Sequence, residues 1–382
     1  MSTTLPAEQI HRVLEPLERA WTLPPAAYTD PVVFHAEVER IFRRAWHCVA
    51  RIDQIAEPGD YRCVDLVDQP IVVTRDRIGE IHAFSRVCLH RAMPVAEGAG
   101  NASRFVCPYH NWTYELDGRL RSAPMMDGVD DFQPRDCRLP SLRTEVWQGF
   151  VFVNQDPDCA ALAPRLERLA GLLRNYRFGE LVTIRTVSFD SPWNWKILIE
   201  NFMEAYHHIG IHRRTFEPVY PARESYVEDN HGAPWSLLRM PGHHHAEEAG
   251  LPPFPGLTCA QRDELIAGCV FPTMLFGASS NLAVWYETLP AAHDRMMLNI
   301  HVLLRPEVAT ALDDEARTAV AEGVRAIHQE DIAANIGPWR GLHAPMTRPG
   351  RLSRYEKAIW QINQLWAARM LAQEMTSRVI QA

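Results

Sequence analysis

Two short runs of residues carry most of the chemistry legible in this chain. Cys88-Leu-His90 is followed, after sixteen residues, by Cys107-Pro-Tyr-His110. Each run offers one thiolate and one imidazole. Zinc fingers group Cys with Cys and His with His on opposite halves of a site, whereas each half here holds one of each. That pattern suits a two-iron, two-sulfide cluster in which one iron takes both cysteines and the other both histidines. Two neutral imidazoles in place of two thiolates make such a site less negative, so it accepts an electron at a higher potential than a four-cysteine cluster. Pro108 stiffens the second loop, Gly98 and Gly100 allow close backbone approach, and Trp112 is placed to shield one side. A structural zinc, or two unrelated Cys–His pairs, is the plainer alternative.

The second run reads Asn194-Trp-Lys-x3-Glu200-Asn201-x2-Glu204-x-Tyr206-His207-x4-His212. Taken as one helix from Trp193 to His208, it sets Glu200, Glu204 and His207 on one face at i, i+4, i+7 spacing. A carboxylate–carboxylate–imidazole line in an otherwise apolar helix is costly unless something binds it; a solvated polar face is the bland alternative. His207 and His212 are five apart, about 140° around a straight helix. One metal reaches both only if the helix breaks, and Gly210 is the expected place. Two histidines with one carboxylate form the triad of non-haem Fe(II) oxygenases, which leaves coordination positions open. The carboxylate is sought in Ile327-His-Gln-Glu330-Asp331. Asp331 continues the apolar stripe Val320, Val324, Ile327, whereas Glu330 aligns with Gly323, Ala326 and Ala334. A carboxylate that interrupts a core stripe is the better ligand candidate, so Asp331 is preferred over Glu330; an ordinary acidic residue near a helix end is the alternative.

The elements that must hold these runs follow from the texture of the chain. Residues 1–45 read as helical, with Thr29-Asp30-Pro31 as a start signal. Residues 46–155 turn to short β-rich runs, Tyr61–Val67, Ile71–Arg75 and Ile81–Val87, punctuated by Pro58-Gly59 and Gly79. Beyond Gln155-Asp156-Pro157 a third region, 156–382, begins with a helical Leu162–Tyr176 and a strand-like Leu181–Asp190. After the Trp193 helix comes a loop-rich stretch, 213–262. Three strands, Val270–Phe276, Asn281–Leu289 and Met296–Leu304, are followed by helices over Asp313–Ile336 and Leu352–Thr376. The order predicts an α+β chain with a sheet wrapped on a long C-terminal helix.

Cys88-x-His90-Arg91 and Cys107-x2-His110-x-Trp112 resemble the Rieske domain of the Rieske non-haem iron oxygenases. The line from Asn194 to His212 is similar to the catalytic signature of their alpha subunits, and the two motifs stand in that family's order. The resemblance implies a fold: an N-terminal helical segment (1–45) packed on the catalytic domain, an all-β Rieske domain (46–155), and a helix-grip (Bet v1/START-like) catalytic domain (156–382) with an antiparallel sheet around a long C-terminal helix. It also implies a [2Fe-2S] cluster on Cys88, His90, Cys107 and His110, and a mononuclear Fe(II) on His207, His212 and Asp331. Glu204 stands where the family has an acidic bridging residue, most often Asp, between a cluster histidine of one subunit and an iron-ligating histidine of its neighbour. Asn201 is a further catalytic candidate. The family's head-to-tail trimer implies a homotrimer or a trimer-based assembly.

Composition limits the partners. The 382 residues carry 39 basic and 47 acidic side chains, a net charge of −8, with no Lys/Arg block, which argues against nucleic acid. The apolar stretch near Cys269–Ala278 is about half the length a membrane span needs, and eight cysteines are too few for a disulfide scaffold. A cytoplasmic setting is expected. No G-x-G-x-x-G follows a strand, so electrons are expected from a separate NAD(P)H-dependent flavin/iron–sulfur reductase, with O2 and a small organic molecule as substrates. The substrate pocket is sought at Phe202, Ala205, His208, Phe216, Phe276, Asn281, Ala283 and Trp285. Eleven tryptophans and ten tyrosines are able to build an aromatic box for a quaternary ammonium or to stack on an aromatic ring. Phe271-Pro-Thr-Met-Leu-Phe-Gly277, Trp285-Tyr-Glu287 and the length resemble the glycine-betaine, carnitine and choline oxygenase branch more than the naphthalene-type dioxygenases. Hydroxylation or oxidative demethylation of a quaternary ammonium compound is therefore one expectation. Ring hydroxylation of an aromatic acid is the competitor, and a Rieske electron carrier without oxygenase activity is the reading from another class. The His243–His245 run reads as a solvated loop.

Overall fold

The computed structural model describes Leu5, residues 7–242 and residues 250–380. The His243–His245 run lies outside them. The chain divides into two compact units, one of Arg43–Ala160 and one of Met1–Phe42 with Ala161–Ala382.

The Arg43–Ala160 unit contains ten short strands. They are β1 (His47–Arg51), β2 (Asp60–Leu66), β3 (Gln69–Arg75), β4 (Ile81–Ser85), β5 (Ala99–Asn101), β6 (Phe105–Val106), β7 (Thr113–Tyr114), β8 (Leu120–Ser122), β9 (Arg143–Trp147) and β10 (Phe150–Asn154). They pair antiparallel into three small sheets, ordered β1-β10-β9, β4-β3-β2-β5 and β6-β7-β8. Val72, Phe84, Phe105, Tyr114 and Leu139 form a dry core from which the two Cys–His loops project. The Cys88–His90 loop leaves β4, and the Cys107–His110 loop joins β6 to β7.

The other unit is built on a seven-stranded antiparallel sheet. Its strands are β11 (Val182–Ser191), β12 (Tyr226–Val227), β13 (Trp235–Pro241), β14 (Glu264–Val270), β15 (Met274–Ala278), β16 (Ala283–Ala292) and β17 (Arg295–Leu304). Strands β12 to β17 meander in sequence, and β11 adds beside β17. Two expectations differ here. The stretch read as loop-rich contains β13, and the single strand expected at Val270–Phe276 is the end of β14, a turn, and the start of β15. Both strands are buried almost throughout. An apolar run without alternation does not mark where one strand stops and the next begins.

Two long helices, Asp314–Leu342 and Lys357–Ile380, complete this unit. Asp313 caps the first, accepting Ala316 N–H at 2.8 Å. The second buries Ile359, Ile362, Trp366 and Met370, and its Gln361 accepts a hydrogen bond from Ser236 of β13 at 2.6 Å. The N-terminal helix Pro31–Glu37 has Pro at its start and is capped by Asp30, which accepts Val32 N–H at 2.8 Å. It ends on Glu37, a fully buried carboxylate. Glu37 accepts from Lys196 Nζ (2.6 Å), Trp195 Nε1 (2.9 Å) and Trp366 Nε1 (2.6 Å). One charged pair and two indoles thus tie together three segments remote in sequence. No helix among the described residues is long and apolar enough to cross a membrane.

Candidate functional site

The two Cys–His loops have the same local shape. Ala92 N–H returns to Cys88 O (3.1 Å) and Asn111 N–H to Cys107 O (2.9 Å), and both Ala92 and Asn111 take positive φ, 56° and 58°. Each loop thus curls back four residues after its cysteine, which aims thiol and imidazole the same way. Cys88 and Cys107 are buried. His90 and His110 come together at the loop tips, Nδ1 to Nδ1, at 3.1 Å. Trp112 stacks on His90, centroids 5.0 Å apart and planes 5° from parallel. Two buried thiols behind two converging ring nitrogens, whose lone pairs have only each other, form the donor set a Rieske cluster requires. Tyr114, one strand behind, holds its hydroxyl 3.2 Å from Cys88 Sγ and accepts Leu89 N–H at 3.0 Å. Sequence reasoning missed Tyr114, because nothing in its spacing separates it from the surrounding core.

The second run folds differently from a single helix. The helix Trp195–Phe202 begins on Asn194, whose side chain accepts Lys196 N–H at 3.1 Å and donates to Tyr28 O (3.0 Å) and His293 O (2.8 Å). It stops at Phe202. Met203 to Ala205 leave the helix, and a short 3-10 turn covers Tyr206–Ile209. The break therefore precedes Gly210. Its local cause is Glu204, whose carboxylate accepts His207 N–H at 2.9 Å, a side-chain bond that competes with the helical ladder. Glu200 is corrected too: it points away from His207 and accepts from Tyr28 Oη (2.7 and 2.9 Å) and Asn363 Nδ2 (3.1 Å).

The break brings the expected ligands together. His207 Nε2 and His212 Nε2 lie 3.5 Å and 2.9 Å from Asp331 Oδ1. One ligand atom from each residue lies within 4.8 Å of the others, a cluster that fits one metal ion with two imidazoles and a carboxylate. Each ring is oriented from behind. Glu204 Oε1 takes His207 Nδ1 at 2.7 Å, and Glu330 Oε2 takes His212 Nδ1 at 2.7 Å while accepting Thr215 Oγ1 at 2.8 Å. The carboxylate set aside in favour of Asp331 thus serves the neighbouring shell, where such partners fix ring orientation and basicity. Asn201 Nδ2 donates to Asp331 Oδ1 at 3.0 Å. Burial pushes His212 down, but the Asp331 and Glu330 carboxylates outweigh it and raise it. Burial pushes Asp331 up, and the hydrogen bond from His212 with the nearby imidazoles brings it below the usual range.

His208 gives its Nδ1 proton to Tyr220 O at 3.2 Å and is pushed down to about 3, mainly by burial and then by His207. Its ring is 5.3 Å from Phe216. Phe216, Asn281, Gly277, Val284 and Tyr286 line a cavity of about 340 Å³, closed on the other side by Val320, Gly323, Val324 and Ile327 of the Asp331 helix. Phe216 and Asn281, two of the expected pocket residues, thus line this cavity. Phe276 and Trp285 are not: they are cross-strand partners on the opposite face of the sheet, with Trp285 stacked on His301 at 4.5 Å. Ala283 shares that face by alternation. Phe202 packs behind the wall, 4.7 Å from Tyr286, and Ala205 is fully buried. Val284 and Tyr286 were missed because a strand buried on both faces carries no sign of which face meets a cavity.

A sheet gripping long helices, with a two-histidine, one-carboxylate cluster beside an apolar cavity and a separate small β unit bearing paired Cys–His loops, defines a class of iron-dependent oxygenase. Comparison with known families agrees. Residues 178–372 match the ring hydroxylating alpha subunit (catalytic domain) and residues 45–133 match the Rieske [2Fe-2S] domain. The chain is 36% identical over 370 residues to the chloroplastic choline monooxygenase of Arabidopsis thaliana, covering 90% of this chain and 81% of that protein. It is 34% identical over 196 residues to the carnitine monooxygenase oxygenase subunit of Acinetobacter baumannii, 49% of this chain and 52% of that one. The match thus spans about half the length of the carnitine relatives. Among solved structures, the quaternary ammonium Rieske monooxygenase CntA with L-carnitine superposes with a TM-score of 0.80 at 25% identity, over 97% of this chain and 100% of that one. Naphthalene 1,2-dioxygenase from Rhodococcus sp. shares the fold, with a TM-score of 0.77 at 22% identity. The chain belongs to the Rieske non-haem iron oxygenase alpha subunits, whose cofactors are a [2Fe-2S] cluster and a mononuclear iron.

Proposed function

We propose that this chain is the terminal oxygenase of a Rieske-type system that oxidises a small quaternary ammonium compound with O2. One observation carries the reading: two imidazoles and one carboxylate converge within 4.8 Å, each imidazole held from behind by its own carboxylate, and Phe216, 5.0 Å from His212, lines a neighbouring 340 Å³ cavity. Cys88, Cys107, His90 and His110 would hold the cluster, and His207, His212 and Asp331 the mononuclear iron. When bound, these groups supply single electrons and the place where O2 is activated.

The chain's own residues set the conditions. Glu204 and Glu330 fix which nitrogen of each histidine is free to ligate, because a carboxylate on Nδ1 leaves Nε2 as the lone-pair donor. Asn201 orients Asp331 by binding its Oδ1. The aliphatic side chains from Val320 to Ile327 give the cavity an apolar wall for the substrate's body. Glu204 is engaged by His207 on both oxygens, yet a carboxylate has about four acceptor sites, which leaves room for a cluster imidazole of a second copy. Surface character supports that second copy. Tyr206, Ile209 and Ile211 are exposed on the turn beside Glu204, and Leu89, Met93 and Tyr109 are exposed around the cluster loops. Two apolar patches, each at one end of the electron path, suit a head-to-tail trimer. Electrons come from a separate NAD(P)H-dependent flavin/iron–sulfur reductase. None of the eight cysteines is in a disulfide, which suits the reducing cytoplasm proposed for the chain.

Anaerobic reconstitution tests the reading. Two cluster irons and one further iron per chain are expected, with substrate-dependent O2 uptake on choline, carnitine or glycine betaine through a surrogate reductase. Uptake on benzoate-type acids alone would transfer the assignment to aromatic ring hydroxylation. A colourless zinc protein would end the proposal.

A further inference from the structure

Resting on that reading, we propose that the Tyr286 hydroxyl is the substrate's polar anchor: it donates a hydrogen bond to an oxygen of the substrate, whose apolar body lies along the Asp331 helix opposite Gly323.

The cavity offers few polar groups. Ser279 is committed to Asn281 Oδ1 (3.2 Å) and Asn281 Nδ2 to Leu251 O (3.1 Å). Tyr286 lines the same cavity, is 6% exposed, and its hydroxyl makes no hydrogen bond among the described residues. Its ring is fixed by Phe202 at 4.7 Å and by His328 at 5.9 Å, so the phenol cannot swing to another partner. A hydroxyl that faces an apolar cavity without a protein partner is a ready donor for a ligand oxygen that displaces water from it. The anchor also stands toward the reacting end, because its ring lies 5.9 Å from His328, less than one turn before Asp331 on the same helix.

The opposite wall supports the same placement. Val320, Val324 and Ile327 lie on the helical row that leads to Asp331, and Gly323 sits among them. A Cβ on Gly323 would meet nothing within 4 Å. Glycine inside a helix costs about 1 kcal/mol relative to alanine, so this position gives up helix stability and leaves room in the cavity. The substrate implied is compact, with an apolar head along the helix and one acceptor oxygen, such as a hydroxyl or carboxylate, within reach of the phenol.

Two matched probe pairs test this by thermal shift on the anaerobic holoprotein. Choline is compared with n-propyltrimethylammonium, in which a methyl replaces the hydroxyl. The neutral pair is 3,3-dimethylbutan-1-ol and 2,2-dimethylpentane. In the native protein the oxygen-bearing member of at least one pair should bind more tightly, by roughly five- to tenfold, the worth of one hydrogen bond. Tyr286→Phe should erase that difference while keeping the affinity for the oxygen-free member. Gly323→Val should weaken all binders alike and keep the preference. Persistence of the oxygen preference in Tyr286→Phe overturns the proposal, and so does the absence of any shift with all four probes. Preference confined to the neutral pair keeps the anchor and removes the quaternary ammonium reading, whereas iron content reports on the oxygenase reading separately.

Discussion

Glu330 and Glu204 hold two imidazoles from behind in the same way, though one lies on a long helix and the other in a helix break. Partners of this kind change metal affinity about 10–100-fold when removed. Glu330→Gln is therefore expected to weaken iron binding within that range in a chelator competition, with the visible spectrum of the cluster unchanged. Unchanged affinity would reduce Glu330 to a scaffold residue. Glu204→Gln should weaken iron binding in the same way, and once both metal sites are filled with excess iron it should still slow the electron step in single-turnover kinetics; a normal rate in the loaded variant would remove the bridge. At the cluster, the Tyr114 hydroxyl 3.2 Å from Cys88 Sγ withdraws charge from that sulfur. Tyr114→Phe should make the cluster's reduction potential more negative by protein-film voltammetry, since hydrogen bonds to the sulfurs are one of the levers on it.

Among the elements, the buried Glu37 is the knot between the N-terminal helix, the helix that leads to the ligand turn and the C-terminal helix. Burial alone pushes the Lys196 ammonium down, and Glu37 opposes it. Glu37→Ala strands that ammonium and is expected to destabilise the fold by about 3–5 kcal/mol in denaturant unfolding, with partial recovery when Lys196→Met accompanies it. A loss below 1 kcal/mol would show that the cluster is not a joint. This knot was invisible in the sequence. Asn194-Trp-Lys stood in a recognisable line, but its partner lies 159 positions away and Glu37 carries no local signal. By contrast, the residue types and spacings that converge at both candidate metal sites were legible, because metal chemistry restricts residue type at short range. The place of the helix break was not legible, because it depends on one side chain choosing a backbone N–H over the helical ladder. Nor was the cavity wall: Trp285 and Tyr286 are adjacent and both aromatic, and only the sheet's facing separates core from cavity.

For the molecule as a whole, the proposed trimer makes the active unit a composite of two copies. On the proposed ligand set, subunits with Cys88→Ala should lose the cluster, and subunits with Asp331→Ala should lose the mononuclear iron. Each alone should be inactive. Co-assembled, they should regain a measurable fraction of native turnover, because some neighbours then pair an intact cluster with an intact iron site. Failure to complement, with mixed trimers demonstrated by native mass spectrometry, would place the electron path within one chain.

The Glu37 knot has one more consequence. Trimming the chain from the front as far as Arg43 would delete the carboxylate that accepts the Lys196 ammonium's hydrogen bond, directly beneath the helix that feeds the histidine arm. The opening forty residues thus act as a keystone for the catalytic body, and shortened versions should fail by collapse of that body before any question of turnover arises.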